Sequence, residues 1–164
     1  MLFRSQVVAL QTSQLAVIDP ADLNALASST VGALSTAQVR AMTTAQWDVL
    51  STTQVAALES DQVYAIETAD LAVLEASQLA AFAPVAVASL TTDQVKALET
   101  SQLEGLTTRQ LAQLTFGQIR TLATDRIAAL STLQVASLGS SQLSALLTSQ
   151  VQALETREIG RAHV

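Results

Sequence analysis

The 164 residues include no cysteine, which excludes disulfides, thiolate metal sites and thiol nucleophiles. Histidine is almost as scarce. His163 is the only one, close to the end of the chain. A lone terminal imidazole leaves no Ser-His-Asp relay, no histidine metal site and few general-base schemes. Basic residues number eight and are scattered, against fourteen acidic ones, for a net charge of −6. A nucleic-acid partner needs clustered Lys and Arg, so none is expected. The five glycines (Gly32, Gly105, Gly117, Gly139 and Gly160) are isolated from one another and build no phosphate-binding loop. The longest apolar run, Leu79 to Ala88, is about half a membrane span and contains Pro84, so membrane insertion is not expected either. The opening Met1-Leu2-Phe3-Arg4-Ser5-Gln6 leads into repeat sequence and lacks the long apolar core of a signal peptide. From these absences no catalytic residue, cofactor or metal ligand is assigned, and the chain is read as no enzyme.

Hydrophobic residues make up 49% of the chain, yet aromatics only 3% and charged residues 13%. Such a bias directs attention to internal repeats. In rows of eight from Leu2, twenty rows fit without a gap and end at Arg161. Position one (Leu2, Leu10, Ile18 and on to Leu154) is large and apolar in all twenty rows, as is position six (Val7, Leu15, Leu23 and on to Ile159). Position five is Gln in fourteen rows, position three Ser or Thr in fifteen, and position eight Ala or Val in fourteen. The consensus is L-[S/T/E]-T-x-Q-[V/L]-x-A.

A continuous helix turns about 100° per residue, so a period of eight drifts by about 80° per row and leaves no stripe. Coiled coils need periods of seven or eleven and are excluded. A β-solenoid with two buried faces remains an alternative. The abundance of Ala, Leu, Gln and Glu, with five Gly and two Pro, favours helix. Each row also reads as a helix start. In Leu34-Ser35-Thr36-Ala37-Gln38-Val39-Arg40-Ala41, Ser35 is an N-cap, Gln38 completes a capping box, and Leu34 with Val39 forms a hydrophobic staple. Asp19-Pro20 and Ala83-Pro84 put proline at the first helical position. Rows with Glu at position two (Glu59, Glu67, Glu75, Glu99 and Glu155) leave the cap open between positions two and three.

Helices of about six residues are unstable alone, so rows must stack. The expected fold is all-α, a superhelical solenoid of about twenty very short capped helices. No sixteen-residue alternation is present, so every helix is expected to be equivalent. Paired alternation at position six (Val55, Val63; Leu71, Leu79; Val87, Val95; Leu103, Leu111; Ile119, Ile127) points to about four helices per superhelical turn.

Four features invite a functional reading. Glu59, Glu67 and Glu75 share one column within an acid-rich stretch from Asp48 to Asp93, and stacked carboxylates attract divalent cations such as calcium. No calcium-loop spacing is present, and a solvated acidic face is the plainer reading. The Gln column could bind ligand as a ladder. Its plainer role is capping, extended by hydrogen bonds to free carbonyls of a neighbouring row. The Thr column (Thr36, Thr44, Thr52, Thr68, Thr92, Thr100, Thr108, Thr124, Thr132 and Thr148) resembles the flat ladders of ice-binding proteins, although Thr at a helix start needs no such purpose. Trp47 and Phe82 fall in core columns, whereas Tyr64 and Phe116 fall at positions expected to be exposed.

The octapeptide Leu90-Thr91-Thr92-Asp93-Gln94-Val95-Lys96-Ala97 resembles repeat arrays that recur in large bacterial proteins. Many of those are secreted or surface-associated, of adhesin or toxin type. The resemblance covers residues 2 to about 158. It implies an extracellular or cell-surface setting as part of a larger protein. Ile159-Gly160-Arg161-Ala162-His163-Val164 departs from the repeat and resembles a translated sequencing-adapter oligonucleotide. On that reading residues 1–158 are repeat solenoid, a stretch of a longer array, and 159–164 a non-native tail. A natural frayed terminus is the alternative. The expected function is a non-catalytic structural spacer or scaffold. The alternative is a solenoid that binds a protein or peptide through variable positions four and seven, and ice binding is a third reading.

Overall fold

In the computed structural model the described residues are 4–162, with side chains described for residues 5–155. Nineteen helices and no strand occur among them. The array opens with α1 (Arg4–Val8), α2 (Thr12–Leu15), α3 (Pro20–Asn24), α4 (Ser28–Val31), α5 (Thr36–Ala41) and α6 (Thr44–Asp48). It continues with α7 (Thr52–Val55), α8 (Ser60–Ala65), α9 (Thr68–Val73), α10 (Ala76–Ala81), α11 (Pro84–Ala88), α12 (Thr92–Ala97) and α13 (Thr100–Gly105). Then follow α14 (Thr108–Gln113), α15 (Phe116–Thr121), α16 (Thr124–Ala129), α17 (Thr132–Ala136), α18 (Ser140–Ala145) and α19 (Thr148–Ala162). The fold is all-α and solenoid-like, with one helix of four to six residues per octapeptide from α2 to α18.

The period of eight arises from a corner made of two extended residues. At the α5–α6 corner, Met42 has φ −64° and ψ 141°, and Thr43 has φ −82° and ψ 156°. Each α-helix before such a corner closes with a short bond, such as the Met42 N–H donating to the Val39 carbonyl at 3.3 Å. No described residue has positive φ. The chain therefore bends at every corner without glycine, which explains why so few turn residues serve so many turns. The N-cap is position two throughout α2 to α18, including the glutamate rows: Glu59, Glu67, Glu75 and Glu99 are all N-caps. Proline occupies the first helical position in α3 and α11, and Asp19 accepts from the Ala21 N–H at 2.9 Å.

Each helix packs on the third one before and after it: α5 on α8, α6 on α9, α10 on α13, α11 on α14. Consecutive helices thus lie around the axis rather than above one another. Position six forms the centre of the core, with every residue from Val7 to Ile127 in that column buried. Position one joins it from Leu34 to Leu138. Trp47 and Phe82 fill this core, as their columns require, while Tyr64 and Phe116 are exposed. Fully burying a side chain of this size contributes about 1.5–3 kcal/mol, which two per row cannot make sufficient without the stack. The Trp47 Nε1–H has no partner, a local cost of putting indole where neighbours carry Val or Leu. Past Ile127 the central column opens: Leu143 and Val151 are exposed, because no described helix packs beyond α17, α18 and α19. In α19 the chain runs helically through the place where an octapeptide corner would fall after Leu154. His163 and Val164 lie outside the described residues.

Two glycines are required by close approach. A Cβ on Gly32 would stand 2.5 Å from the Ala57 carbonyl oxygen, and one on Gly105 would stand 2.6 Å from the Ala76 Cβ. Gly117, inside α15, has nothing nearer than the Thr115 Oγ1 at 3.9 Å. Gly105→Ala should therefore destabilise the protein by about 1–3 kcal/mol through overpacking. Gly117→Ala should stabilise it by about 0.5–1 kcal/mol by reducing the freedom of the unfolded chain. Urea melts of the two variants check this pair of opposite signs.

Candidate functional site

Glutamine at position five is the most repeated polar residue in the molecule, and from Gln38 to Gln150 it is buried. Gln46 is 0% exposed, and Gln54, Gln110 and Gln150 are 1% exposed. Burying a carboxamide costs free energy unless its donors and acceptor are matched. The position-three site of the helix places the Gln stem beside its own N-cap. Gln38 Oε1 accepts the Ser35 N–H at 2.9 Å, while the Ser35 hydroxyl accepts the Gln38 N–H at 3.2 Å. This is the expected capping box.

The other half of the amide reaches across the solenoid. Gln38 Nε2 donates to the carbonyls of Val7 at 3.1 Å, Val8 at 3.2 Å and Leu10 at 3.0 Å. Those are the carbonyls at the C-terminal end of α1, four helices earlier, and of them the Val7 oxygen also accepts the Leu10 N–H at 3.1 Å. The same bond, 28 residues back, recurs in Gln46 to Ile18, Gln54 to Leu26, Gln62 to Leu34, Gln78 to Leu50 and Gln94 to Ile66. It continues in Gln102 to Leu74, Gln110 to Phe82, Gln118 to Leu90, Gln134 to Leu106, Gln142 to Leu114 and Gln150 to Leu122. One carboxamide therefore joins the N-terminus of a helix to the C-terminus of the helix four before it. The helix bodies meanwhile pack on the third. Packing thus joins each helix to the third along the chain, and the amide joins it to the fourth.

Between Gln14 and Gln150 five rows lack the glutamine. Position five holds Asp22 in α3, Thr30 in α4, Asp70 in α9, Ala86 in α11 and Arg126 in α16. Arg126 replaces the bond in kind, its Nη1 donating to the Lys96 carbonyl 30 residues back. Asp70 cannot do so when ionised, because a carboxylate offers no donor to those carbonyls. It is 6% exposed and accepts the Thr44 hydroxyl at 2.9 Å. Burial raises its pKa above 3.8, the Thr44 bond opposes this, and the charge of Glu67 adds to the rise.

The other columns behave differently from the glutamines. Glu59, Glu67 and Glu75 are exposed and cap consecutive helices, so a column in sequence is not a column in space. Stacked neighbours are three helices apart, and no group of three His, Cys, Asp or Glu fit to hold a metal occurs among the described residues. The Thr column begins the helices and is mostly solvent-facing, although the Thr44 hydroxyl is engaged by Asp70. Consecutive Thr residues follow the helices around the axis. Positions four and seven face outward in most rows, and their chemistry changes from row to row: Asp61, Ala69, Ser77, Val85 and Asp93 occupy position four in succession.

Of the ladder, the sequence made the capping half and the existence of a neighbouring acceptor legible. The partner row was not, because it depends on the angle summed over successive corners. Replacing Gln110 with Leu should cost about 1–3 kcal/mol, since it orphans the Thr107 N–H and the Phe82 carbonyl and removes the second bond to the Leu79 carbonyl. Chemical denaturation of Gln110→Leu measures that loss. For Asp70 the folded pKa lies above the unfolded one, so folded protein holds the proton more tightly. The ionised carboxylate then costs stability at neutral pH, and the cost is relieved as pH falls through the carboxylate range. Asp70→Asn should thus be more stable than the parent at pH 7, with the difference shrinking on acidification, as melts across that range would read.

The ALTTAQ repeat family matches the chain over residues 15–49, 39–65, 63–100, 87–124 and 95–132. The segment Ala41-Met42-Thr43-Thr44-Ala45-Gln46 spells that motif with one change, Met42. No curated protein and no solved structure matches the chain.

Proposed function

The chain belongs to the ALTTAQ repeat family, and we propose that it is a non-catalytic structural spacer or scaffold segment of a larger bacterial protein, one that is secreted or displayed at the cell surface. The observation that carries this reading is where the repeated chemistry points. The most repeated polar residue, the position-five glutamine, is buried from Gln38 to Gln150 and consumed in tying helix ends together. The outward positions four and seven recur in place but not in chemistry. Selection on such a chain acts on the continuation of the stack, which sets reach and rigidity. The acidic balance keeps the surface soluble and mutually repelling, as suits an extended element. No helix among the described residues is long and apolar enough to cross a membrane, so in this reading any anchor lies elsewhere in the parent protein.

A spacer has a measurable signature. Small-angle scattering of the chain, and of versions extended by internal duplication of whole octapeptides, should give a maximum dimension that rises in proportion to the number of rows. Pull-downs with the chain should meanwhile recover no saturable partner. One stoichiometric protein partner from the source bacterium, bound through residues at positions four and seven, would replace the spacer by a binding solenoid.

A further inference from the structure

The burial pattern gives the solenoid a direction. Position six is buried from Val7 to Ile127, yet Leu143 and Val151 are 44% and 39% exposed, so its cover comes from later helices. Position one is only partly buried in Leu10, Ile18 and Leu26 and is buried from Leu34 onward to Leu130, so part of its cover comes from earlier helices. The ladder has the same polarity. Gln14 is exposed, whereas the glutamines of the ladder from Gln38 to Gln150 are buried. The Gln14 Oε1 accepts the Gln11 N–H at 2.9 Å, but its Nε2 takes no carbonyl among the described residues. At the opposite face the ladder stops with Gln150, which takes the Leu122 carbonyl at 2.7 Å. The equivalent carbonyls of Leu130 and Leu138 lie past it. No described helix packs beyond α17, α18 and α19, and α19 continues as helix past Leu154 instead of turning the corner into that place. One face thus offers an uncommitted carboxamide beside half-covered Leu and Ile. The other offers carbonyls beside exposed Leu143, Leu147 and Val151.

We propose that these two faces bind each other between copies of this chain, head to tail. In that contact α2 and α3 of one copy seat on α18 and α19 of another, as α5 seats on α2 and α6 on α3 within the chain. The Gln14 Nε2 donates to the Leu138 carbonyl at the close of α17, as Gln38 donates to Leu10. Leu10, Ile18 and Leu26 then cover Leu143 and Val151. Continuity with the internal interface identifies the occupant. In every interior turn this face is covered by another octapeptide turn, and a second copy presents one with its glutamine donor unspent. The contact joins unlike faces through a screw operation, so it does not close on itself, and successive copies add in line along the axis. This interface goes beyond the spacer reading and does not depend on it.

The test is sedimentation velocity of the chain at rising concentration. The expected result is a series of species that grows past the dimer. Leu143→Glu puts a charge on one face and should hold the chain monomeric. Gln14→Glu keeps the acceptor for the Gln11 N–H, replaces only the donor, and should weaken association about tenfold. A mixture of these two variants should form a heterodimer that stops at two, because each brings one intact face. Asp22→Gln gives α3 the carboxamide it lacks, at an exposed position, and should tighten association. That gain reads the ladder directly and needs no variant that weakens the fold. A chain that stays monomeric at every concentration, a series that stops at the dimer and is unmoved by Gln14→Glu, a mixture that fails to pair, or an Asp22→Gln variant that associates no better than the parent would overturn the proposal.

Discussion

The structure depends on a single constraint: a helix of six residues leaves most of its backbone polar groups without an intrahelical partner. An α-helix cannot satisfy its first four N–H or last four C=O groups internally, and here those ends are nearly the whole helix. Elsewhere water takes up such groups. In this solenoid the helix ends adjoin the core, where position one and position six are buried, and water has little access. The glutamine carboxamide answers both ends together. Its oxygen takes a donor at the start of one helix, and its nitrogen takes carbonyls at the close of another. A longer or shorter side chain at position five would serve its own N-cap or the distant carbonyls, but not both.

Stability is accordingly shared between neighbours along the axis. Each row meets rows 24 residues away through packed side chains and rows 28 to 31 residues away through the amide. Among the described residues the helix contacts run from each helix to the third along the chain, not from one end of the array to the other. Such a one-dimensional object folds and unfolds by propagation between adjacent turns, and its interior rows are held on both sides while end rows are held on one. The exposure of Leu143 and Val151 in the last rows, beside the full burial of the same column up to Ile127, is the static counterpart of that difference.

How much of this was legible beforehand follows the same division between local and summed geometry. A period of eight forbids a continuous helix, and the capping box in Leu34 to Gln38 locates the helix start within one row. Both are statements about a few adjacent residues, and both agree with the structure. The prolines at 20 and 84 and the core positions of Trp47 and Phe82 were legible for the same reason. The cap of the glutamate rows was not, because Glu59 and Ser60 are each chemically able to stand at an N-cap, and only the corner geometry shared with the Ser and Thr rows places it at Glu59. Pitch lay further out of reach. A small rotation at each extended corner accumulates over several rows, so which row packs on the third and which is bonded to the fourth is set by no single row. The Glu59, Glu67 and Glu75 column fails as a stack by the same accumulation. Gly32 and Gly105 carried no local signal, since their need arises from Ala57 and Ala76 in rows that the pitch alone brings near.

The rows without glutamine show how such an array can vary without collapsing. Where glutamine is present in both rows, a helix is tied twice, once by its own position-five side chain and once by that of the helix four later, as α10 is by Gln78 and Gln110. α9 lacks its own glutamine, yet Gln102 from α13 takes the Leu71 and Leu74 carbonyls at its far end. α11 lacks its own, yet Gln118 from α15 takes the Ala88 and Leu90 carbonyls. α3 and α4 are held in the same way by Gln54 and Gln62. In none of these helices are both ties lost. A substitution at position five therefore removes one of a helix's two ties and leaves the other. The array tolerates variation at this position because the glutamine-bearing rows are placed to hold the rows that lack it.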